Sequence, residues 1–371
     1  MQTTTSHKLF EEFITNSEGL KCYMAGLPGY PRNFSRDTIL SGIIAADQQL
    51  LESQVMMSCT HQGQQDNPIT GEEPGKIHHE YPGVVVNAPY VSTYDACDTT
   101  ALYLIGLEVL WSLKKVESIK FLNHYKHSIE KSVGYIQRHI KGDIFWEFPP
   151  PGVKHFSLFT TYWKDSIVAD PNRGLEPIYP VAYGLVQFQV ARGLLAAANM
   201  LKRDSLKIQA DQLFKKAINE FMTEQCFCIM QDKRGRLEQV SSDELHALAY
   251  IPREYTSLIP KDAIYHRTQE LISTVGIACT PRAVSIKLAD QYHGYVVWMF
   301  EQALIHYGCQ KFGFNEIAKV TQRCVPYIGD GQELVSIEPA IKPLGNDRQL
   351  WSVAAKIYFS NLHSLRRVDW L

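Results

Sequence analysis

The chain has 371 residues, 45% of them hydrophobic, and its 37 Lys and Arg nearly balance 39 Asp and Glu for a formal net charge of −2. That length exceeds one ordinary compact core, so the chain either splits or closes into a barrel. A near-neutral balance without a Lys/Arg block leaves no electrostatic footprint for nucleic acid, and no run reaches the ~18 apolar residues of a membrane span.

From the N-terminus, Met1 to Ser6 is polar and no apolar h-region follows, so no secretory signal is expected and the protein is expected to be cytoplasmic. Helical periodicity then dominates. Ile39, Leu40, Ile43, Ile44, Leu50, Leu51 and Val55 predict one helix over Thr38–Met57. Leu102, Ile105, Val109 and Leu113 predict another over Thr99–Val116, and Phe121, Tyr125, Ile129, Val133 and Ile136 a third over Ser118–Ile140. Later helices begin near Val181, Ser205, Ser242, Lys261, Val296, Asn315 and Asp347. Strand-like pieces are short, as at Ile144–Phe148 and Phe227–Met230.

The helices alternate in character. Val181–Met200 is apolar nearly all round, whereas Ser205–Thr223 carries Lys207, Asp211, Lys215 and Lys216 on one face. A helix that is apolar all round is buried and an amphipathic one packs outside it, so an inner ring sheathed by an outer ring is expected. No composition shift divides the chain, and a single domain over 1–371 is the reading. Two long polar loops, Thr60–Thr93 and Phe148–Pro180, are candidates for function.

The eight cysteines show no repeated pair spacing, and Cys226 and Cys228 are too close for a zinc knuckle, so buried free thiols are expected. His78-His79 is the only histidine doublet, and neighbours on a chain rarely share a metal. No cofactor and no metal are expected.

Acids and aromatics gather just before the buried helices: Arg36-Asp37, Tyr94-Asp95 and Asp98, Trp163-Lys164-Asp165, then Glu333 and Glu338 ahead of Gln349 and Trp351. In a ring of inner helices such loops open at one end, where distant residues converge. Aromatic faces stack on a pyranose, carboxylates and amides bind its hydroxyls, and glycosidic cleavage needs one protonated and one ionised carboxyl. Each residue also has a plainer role open to it: Asp37 and Asp98 as helix N-caps, Trp163 and Trp351 as core aromatics.

A family resemblance favours the catalytic reading. Met24-Ala25-Gly26-Leu27-Pro28-Gly29-Tyr30 and Phe34-Ser35-Arg36-Asp37-Thr38 resemble the AGYPWF…GRDT segment of glycogen-debranching amylo-α-1,6-glucosidases and their bacterial and archaeal relatives. Glu72–Glu80 resembles their EEPGKILHE loop. Tyr94-Asp95-Ala96-Cys97-Asp98-Thr99-Thr100 is similar to their Y-x-S-x-D-A/S-T segment, and Trp163-Lys164-Asp165 to their W-K/M-D. Tyr292-His293 and Val297-Trp298 resemble YH-x-G-x-VW. Glu333-Leu334, Glu338-Pro339, Pro343, Gly345 and Gln349-x-Trp351-Ser352-Val353-Ala354 keep the spacing of their last conserved segment.

The resemblance covers Met24 to Phe359. It implies an all-α (α/α)6 barrel, a six-hairpin toroid of inner and outer helices with long active-site loops. It also implies an inverting glycoside hydrolase acting on α-glucosidic linkages, α-1,6 included. Asp165 is then the general acid and Glu333 the base, with Glu338 in reserve. Arg36, Asp37, Tyr94, Asp98, Trp163, Lys164, His293, Trp298, Glu338, Gln349 and Trp351 would bind substrate. The partner would be a carbohydrate, with no nucleic acid and no membrane; no oligomeric state is indicated.

The chain departs from the pattern at substrate-site positions. Pro28-Gly29-Tyr30 replaces Pro-Trp-Phe, Ser336 replaces an aspartate, Met299-Phe300-Glu301 replaces Pro-Trp-Leu, and Val168–Gly174 is rewritten. No N-terminal β-sandwich or glucanotransferase domain is expected. Two alternatives therefore stand beside the first reading: a hydrolase of another glycoside or small sugar conjugate on the same barrel, and a sugar-binding protein that has lost catalysis.

Overall fold

The computed structural model describes residues 8–114, 118–165, 176–288 and 292–362. Six helices contact one another in a closed cycle: α1 (Ser35–Ala45), α2 (Thr99–Lys114), α3 (Gly184–Leu201), α4 (Asp243–Ala247), α5 (Met299–Phe312) and α6 (Leu350–Ser360), with α6 returning to α1. Burial follows from composition. In α2 every residue from Thr99 to Leu107 is buried, and in α3 every residue from Gly184 to Leu194. Neither helix has a polar face to offer solvent, so each is stable only when surrounded.

The helices that alternate with them pack outside. Gln48–Thr60 lies on α1 and α2, Ser118–His139 on α2 and α3, Asp204–Phe221 on α3, and Asn315–Thr321 on α5. In Asp204–Phe221 only one stripe is buried (Leu206, Ala210, Leu213, Phe214, Ala217, Ile218 and Phe221), which is the i, i+3, i+4 pattern of a one-sided helix. One continuous cluster of buried side chains runs from Phe10 to Phe359. Each fully buried Leu, Ile or Phe in it contributes about 1.5–3 kcal/mol of transfer free energy.

One expected helix is two. The apolar stripe over Thr38–Met57 spans a break at Ala46, which adopts the left-handed conformation (φ 50°). Asp47 N–H bonds back to Gly42 O at 2.9 Å, and the Asp47 carboxylate caps Leu50 N at 2.9 Å to start the next helix. The stripe survives because the second helix folds back on the first, with Leu51 lying against Gly42. The expected strand at Phe227–Met230 is Cys228–Asp232, paired with Gly235–Glu238. The end expected for the second helix, at Val116, lies outside the described residues.

Short strands serve the helices. Asn33–Phe34, Ala182–Tyr183, Val296–Trp298 and Arg348–Gln349 each run directly into a ring helix, with the last extended residue at the N-cap position. Gly26–Leu27 pairs with Arg348–Gln349, which ties the entry to α1 to the entry to α6. Val296–Trp298 pairs with Leu334–Ser336, Trp298 opposite Leu334. All eight cysteines are free; six are buried, whereas Cys59 and Cys226 are only partly so, and no described helix is long and apolar enough to cross a membrane.

Candidate active site

The strand-to-helix entries place the polar residues. Arg36 and Asp37 sit in the first turn of α1, Asp98 directly before α2, Asp243 at the start of α4, and Gln349 directly before α6. Their side chains therefore lie at the N-terminal ends of the ring helices, where unpaired N–H groups and the helix dipole favour negative charge.

Arg36 joins two of the acids. Its Nε donates to Asp98 Oδ2 at 2.8 Å and its Nη2 to Asp98 Oδ1 at 3.0 Å, while Nη1 stands 4.0 Å from Asp165 Oδ2. The fork on Asp98 is bidentate and buried, so the guanidinium has a fixed direction. Asp165 keeps 32% of its side chain accessible. Burial of the rest pushes its carboxyl up to about 7, against the pull of Arg36 and with the help of Asp98 and Glu333. It therefore holds a proton over much of the range in which an ordinary aspartate has lost it.

Glu333 is 1% exposed and held at both oxygens. Tyr292 donates its hydroxyl to Oε1 at 2.7 Å, and Asn346 N–H donates to Oε2 at 2.6 Å. Burial raises its carboxyl and these two donors oppose the rise. Tyr30 Oη lies 3.4 Å from Tyr292 Oη. Gly345 leaves room for this arrangement: its φ is +72°, and a Cβ there would run into Glu333 Oε2.

Asp37 is a third carboxyl, buried in the same electrostatic neighbourhood. Gln349 Nε2 donates to its Oδ1 at 3.1 Å, and Asn346 Nδ2 donates in turn to Gln349 Oε1 at 3.0 Å. Burial pushes Asp37 up to about 8; Arg36 opposes this, and Glu333 and Asp165 reinforce it. Asp37, Asp165 and Glu333 thus come from three distant parts of the chain and respond to one another's charge.

Aromatic residues back this cluster. Trp298 stacks on His293 (5.0 Å between ring centres, 9°) and meets Trp163, Phe300 and Trp351 edge-on. Trp351 stacks on Phe300 at 3.9 Å, and its Nε1 is buried without a hydrogen-bond partner. Trp298 Nε1 donates to Tyr292 O at 2.8 Å, so this wall also steadies the residue that holds Glu333. Burial, Lys164 and Arg36 hold His293 well below its ordinary value, and its ring is neutral.

Three expected substrate contacts stand elsewhere. Lys164 turns away from Asp165: its Nζ donates to Ser241 Oγ, Ser242 Oγ and Cys279 O and lies 3.2 Å from Asp243 Oδ1. A buried ammonium requires a carboxylate and a full set of acceptors, and that pocket supplies both. Glu338 is exposed and paired with Arg282, which removes it as a reserve base. The hydroxyl of Tyr94 donates to His61 O at 2.7 Å, within the 61–95 loop. Trp163 stays in the aromatic wall, but its Nε1 is spent on Asp243 Oδ1 at 2.8 Å. The rewritten stretch Val168–Gly174 lies outside the described residues.

The sequence points to Tyr30 and Tyr292 only within motifs and does not single out Asn346 and Asp243 as site residues. Asn346 had a usable signal, since it follows Gly345 in the last conserved segment. Asp243 had none. Together with His246 and Glu301 it brings ligand-type atoms within 4.8 Å of one another, and Lys164 supplies positive charge to that group.

No family model and no curated protein matches the chain in sequence. Solved structures match in fold. Similar structures include the GH63 mannosylglycerate hydrolase of Thermus thermophilus in complex with Tris and D-glycerate (TM-score 0.64, 10% identity) and with Tris alone (TM-score 0.62, 11% identity). The same hydrolase in complex with glucose matches at TM-score 0.61 and 9% identity. Each comparison covers 97% of this chain and 100% of the other. The chain thus has the helical fold of those glycoside hydrolases over nearly its whole length.

Proposed function

We propose that this protein is an inverting glycoside hydrolase on an (α/α)6 barrel. The closed cycle of six helices with others packed outside supports the barrel. The observation that carries the chemistry is the contrast between two carboxyls. Burial raises both, but Asp165, partly accessible, is pushed up to about 7, whereas the rise at Glu333 is opposed by two donors that favour its charge. Asp165 protonates the departing glycosidic oxygen. Glu333 takes a proton from the water that attacks the anomeric carbon on the opposite face. Asp37, Arg36 and Asp98 line the sugar subsite, Gln349 orients Asp37, and Trp298, His293 and Trp351 form its apolar wall.

The substrate is a glycoside. The motif resemblance favours an α-glucosidic linkage, α-1,6 included. The fold match favours a small sugar conjugate, because the hydrolases it covers from end to end are named for a sugar joined to a small acid. The deciding experiment incubates the protein with maltose, isomaltose, limit dextrin, trehalose, sucrose and mannosylglycerate and follows the released anomer by NMR. Release of the inverted anomer from one of them supports the reading. Sugar binding without release from any of them establishes the alternative, a binding protein on the same scaffold.

A further inference from the structure

Three consecutive side chains on the approach to Asp165 end on one carboxylate. Tyr162 donates its hydroxyl to Asp243 Oδ2 at 3.0 Å, Trp163 donates Nε1–H to Oδ1 at 2.8 Å, and Lys164 Nζ stands 3.2 Å from Oδ1. Successive side chains of an extended segment point to opposite faces. For three in a row to reach one buried group, the segment must wrap around it, and Asp243 is 1% exposed. The residue after these three is Asp165.

The same cluster reaches the other half of the site. Lys164 Nζ donates to Ser242 Oγ at 3.0 Å, and Ser242 donates its hydroxyl to Glu301 Oε1 at 2.6 Å. Cys279 Sγ lies 3.5 Å from Glu301 Oε2, and His246 Nδ1 3.7 Å from Oε1. Glu301 belongs to the first turn of α5, continuous with the Val296–Trp298 strand whose last residue pairs with Leu334, next to Glu333. Met299 N–H closes the path on Glu333 O at 3.4 Å. One buried network thus runs from the backbone of Asp165 to the backbone of Glu333.

We propose that Asp243, acting through Lys164 and Glu301, is the positioning residue that fixes where Asp165 stands relative to Glu333. Asp243 touches no substrate. It holds the segment that presents the acid, and Glu301 holds the element that presents the base. This rests on the acid and base roles proposed above. It accounts for Lys164, whose charge serves the network rather than the sugar, and for a buried Asp–Lys–Glu group that the chemistry leaves otherwise unused. Asp243, Lys164 and Glu301 each have buried hydrogen-bonding partners, and a buried polar group so held favours one geometry.

Two measurements on the full chain test it. Asp243→Asn keeps the shape and removes the charge, leaving Lys164 positive with only the more distant Glu301 to compensate it, one residue from the acid. The groups facing Asp165 are Arg36, Asp98, Glu333, Asp37 and Tyr30, all retained in the variant. Carboxyl ¹³C NMR is expected to show the Asp165 midpoint lowered by about half a unit or more, because a freed cation favours the carboxylate. An unmoved midpoint in the folded variant overturns the proposal whether or not a substrate is known.

The second measurement uses the panel glycoside that the wild type cleaves and the matching glycosyl fluoride, whose departure does not depend on a full proton transfer. Asp243→Asn is expected to lower kcat on the glycoside by about 30-fold or more with KM within about threefold, and to lower it by less than about fivefold on the fluoride. Asp243→Glu is expected to restore part of the loss. Should Asp243→Asn fail to fold, Tyr162→Phe removes one of the three anchors with the charge in place and is expected to show a smaller loss with the same leaving-group bias. Equal losses on both substrates would reduce Asp243 to a structural role and overturn the proposal. A wild type inactive on the whole panel would sink the hydrolase reading instead, and the titration then decides the positioning.

Discussion

Tyr292 Oη lies 2.7 Å from Glu333 Oε1 and donates its proton to it. With the Asn346 N–H on Oε2, the carboxylate has little freedom to rotate, and both contacts favour its ionised form. Removing the phenol removes one of those donors, so the Glu333 pKa rises. Tyr292→Phe is expected to move the low-pH limb of the kcat/KM profile upward by about one unit and to lower the plateau about tenfold. A pH–rate series on the cleaved glycoside checks both.

Asp165→Asn and Glu333→Gln preserve shape and remove proton transfer. Each is expected to lower kcat by about 10²–10⁴-fold, the usual worth of a positioned acid or base. Asp165→Asn is expected to be mild on a glycosyl fluoride and Glu333→Gln severe on both substrates, because the attacking water needs its base whatever leaves. Turnover within about tenfold of wild type for either variant on the glycoside would remove that residue from its role.

The proposed acid sets the alkaline limit. In that role Asp165 must be protonated to act, and its surroundings push it up to about 7. The rate is therefore expected to fall as pH rises through about 7, tenfold per unit once well above it, which a kcat/KM profile from pH 5 to 9 reads.

Asp37 makes a prediction for stability. The folded state pushes its carboxyl up to about 8 from an ordinary 3.8, so between those values the folded chain binds a proton that the unfolded chain has released. Stability is lost as pH rises through that window, and Asp165 adds in the same direction. Asp37→Asn abolishes the Asp37 share. Calorimetry is expected to show a smaller drop in Tm between pH 5 and 8 for the variant than for the wild type, together with loss of activity.

Gly345→Ala introduces two faults at one position, a side chain at φ +72° and a Cβ directed into Glu333 Oε2. Loss of stability of about 1–3 kcal/mol and a fall in kcat of about 10²-fold or more are expected, measured by denaturant unfolding and by turnover.

The ring helices were legible because burial on all sides leaves a mark in sequence: α2 and α3 carry almost no polar face. The break at Ala46 was not, since a left-handed alanine has no sequence signature and the stripe continues across it. Among the site residues, Arg36, Asp37, Asp98, Asp165, Glu333 and Gln349 could be singled out because each lies at a helix entry or in a motif. Glu338 and Lys164 looked equivalent to them in one dimension. Their direction is decided by partners far along the chain, Arg282 for one and Asp243 for the other. Asp243 could not be found at all, because what distinguishes it is contact with three side chains some 80 positions earlier, which carry no motif pointing to it.

The pairing of Gly26–Leu27 with Arg348–Gln349 has a consequence for synthesis. Arg36 and Asp37 leave the ribosome more than 300 residues before Gln349, the group that satisfies Asp37. Until α6 emerges, α1 lacks the ring neighbour that closes the cycle, and its buried acid lacks that donor. The nascent chain therefore cannot assemble the carboxyl cluster piecemeal. The last helix closes the cycle of helices and supplies the partner of Asp37 in the same step, so a chain cut short at α6 would lack both.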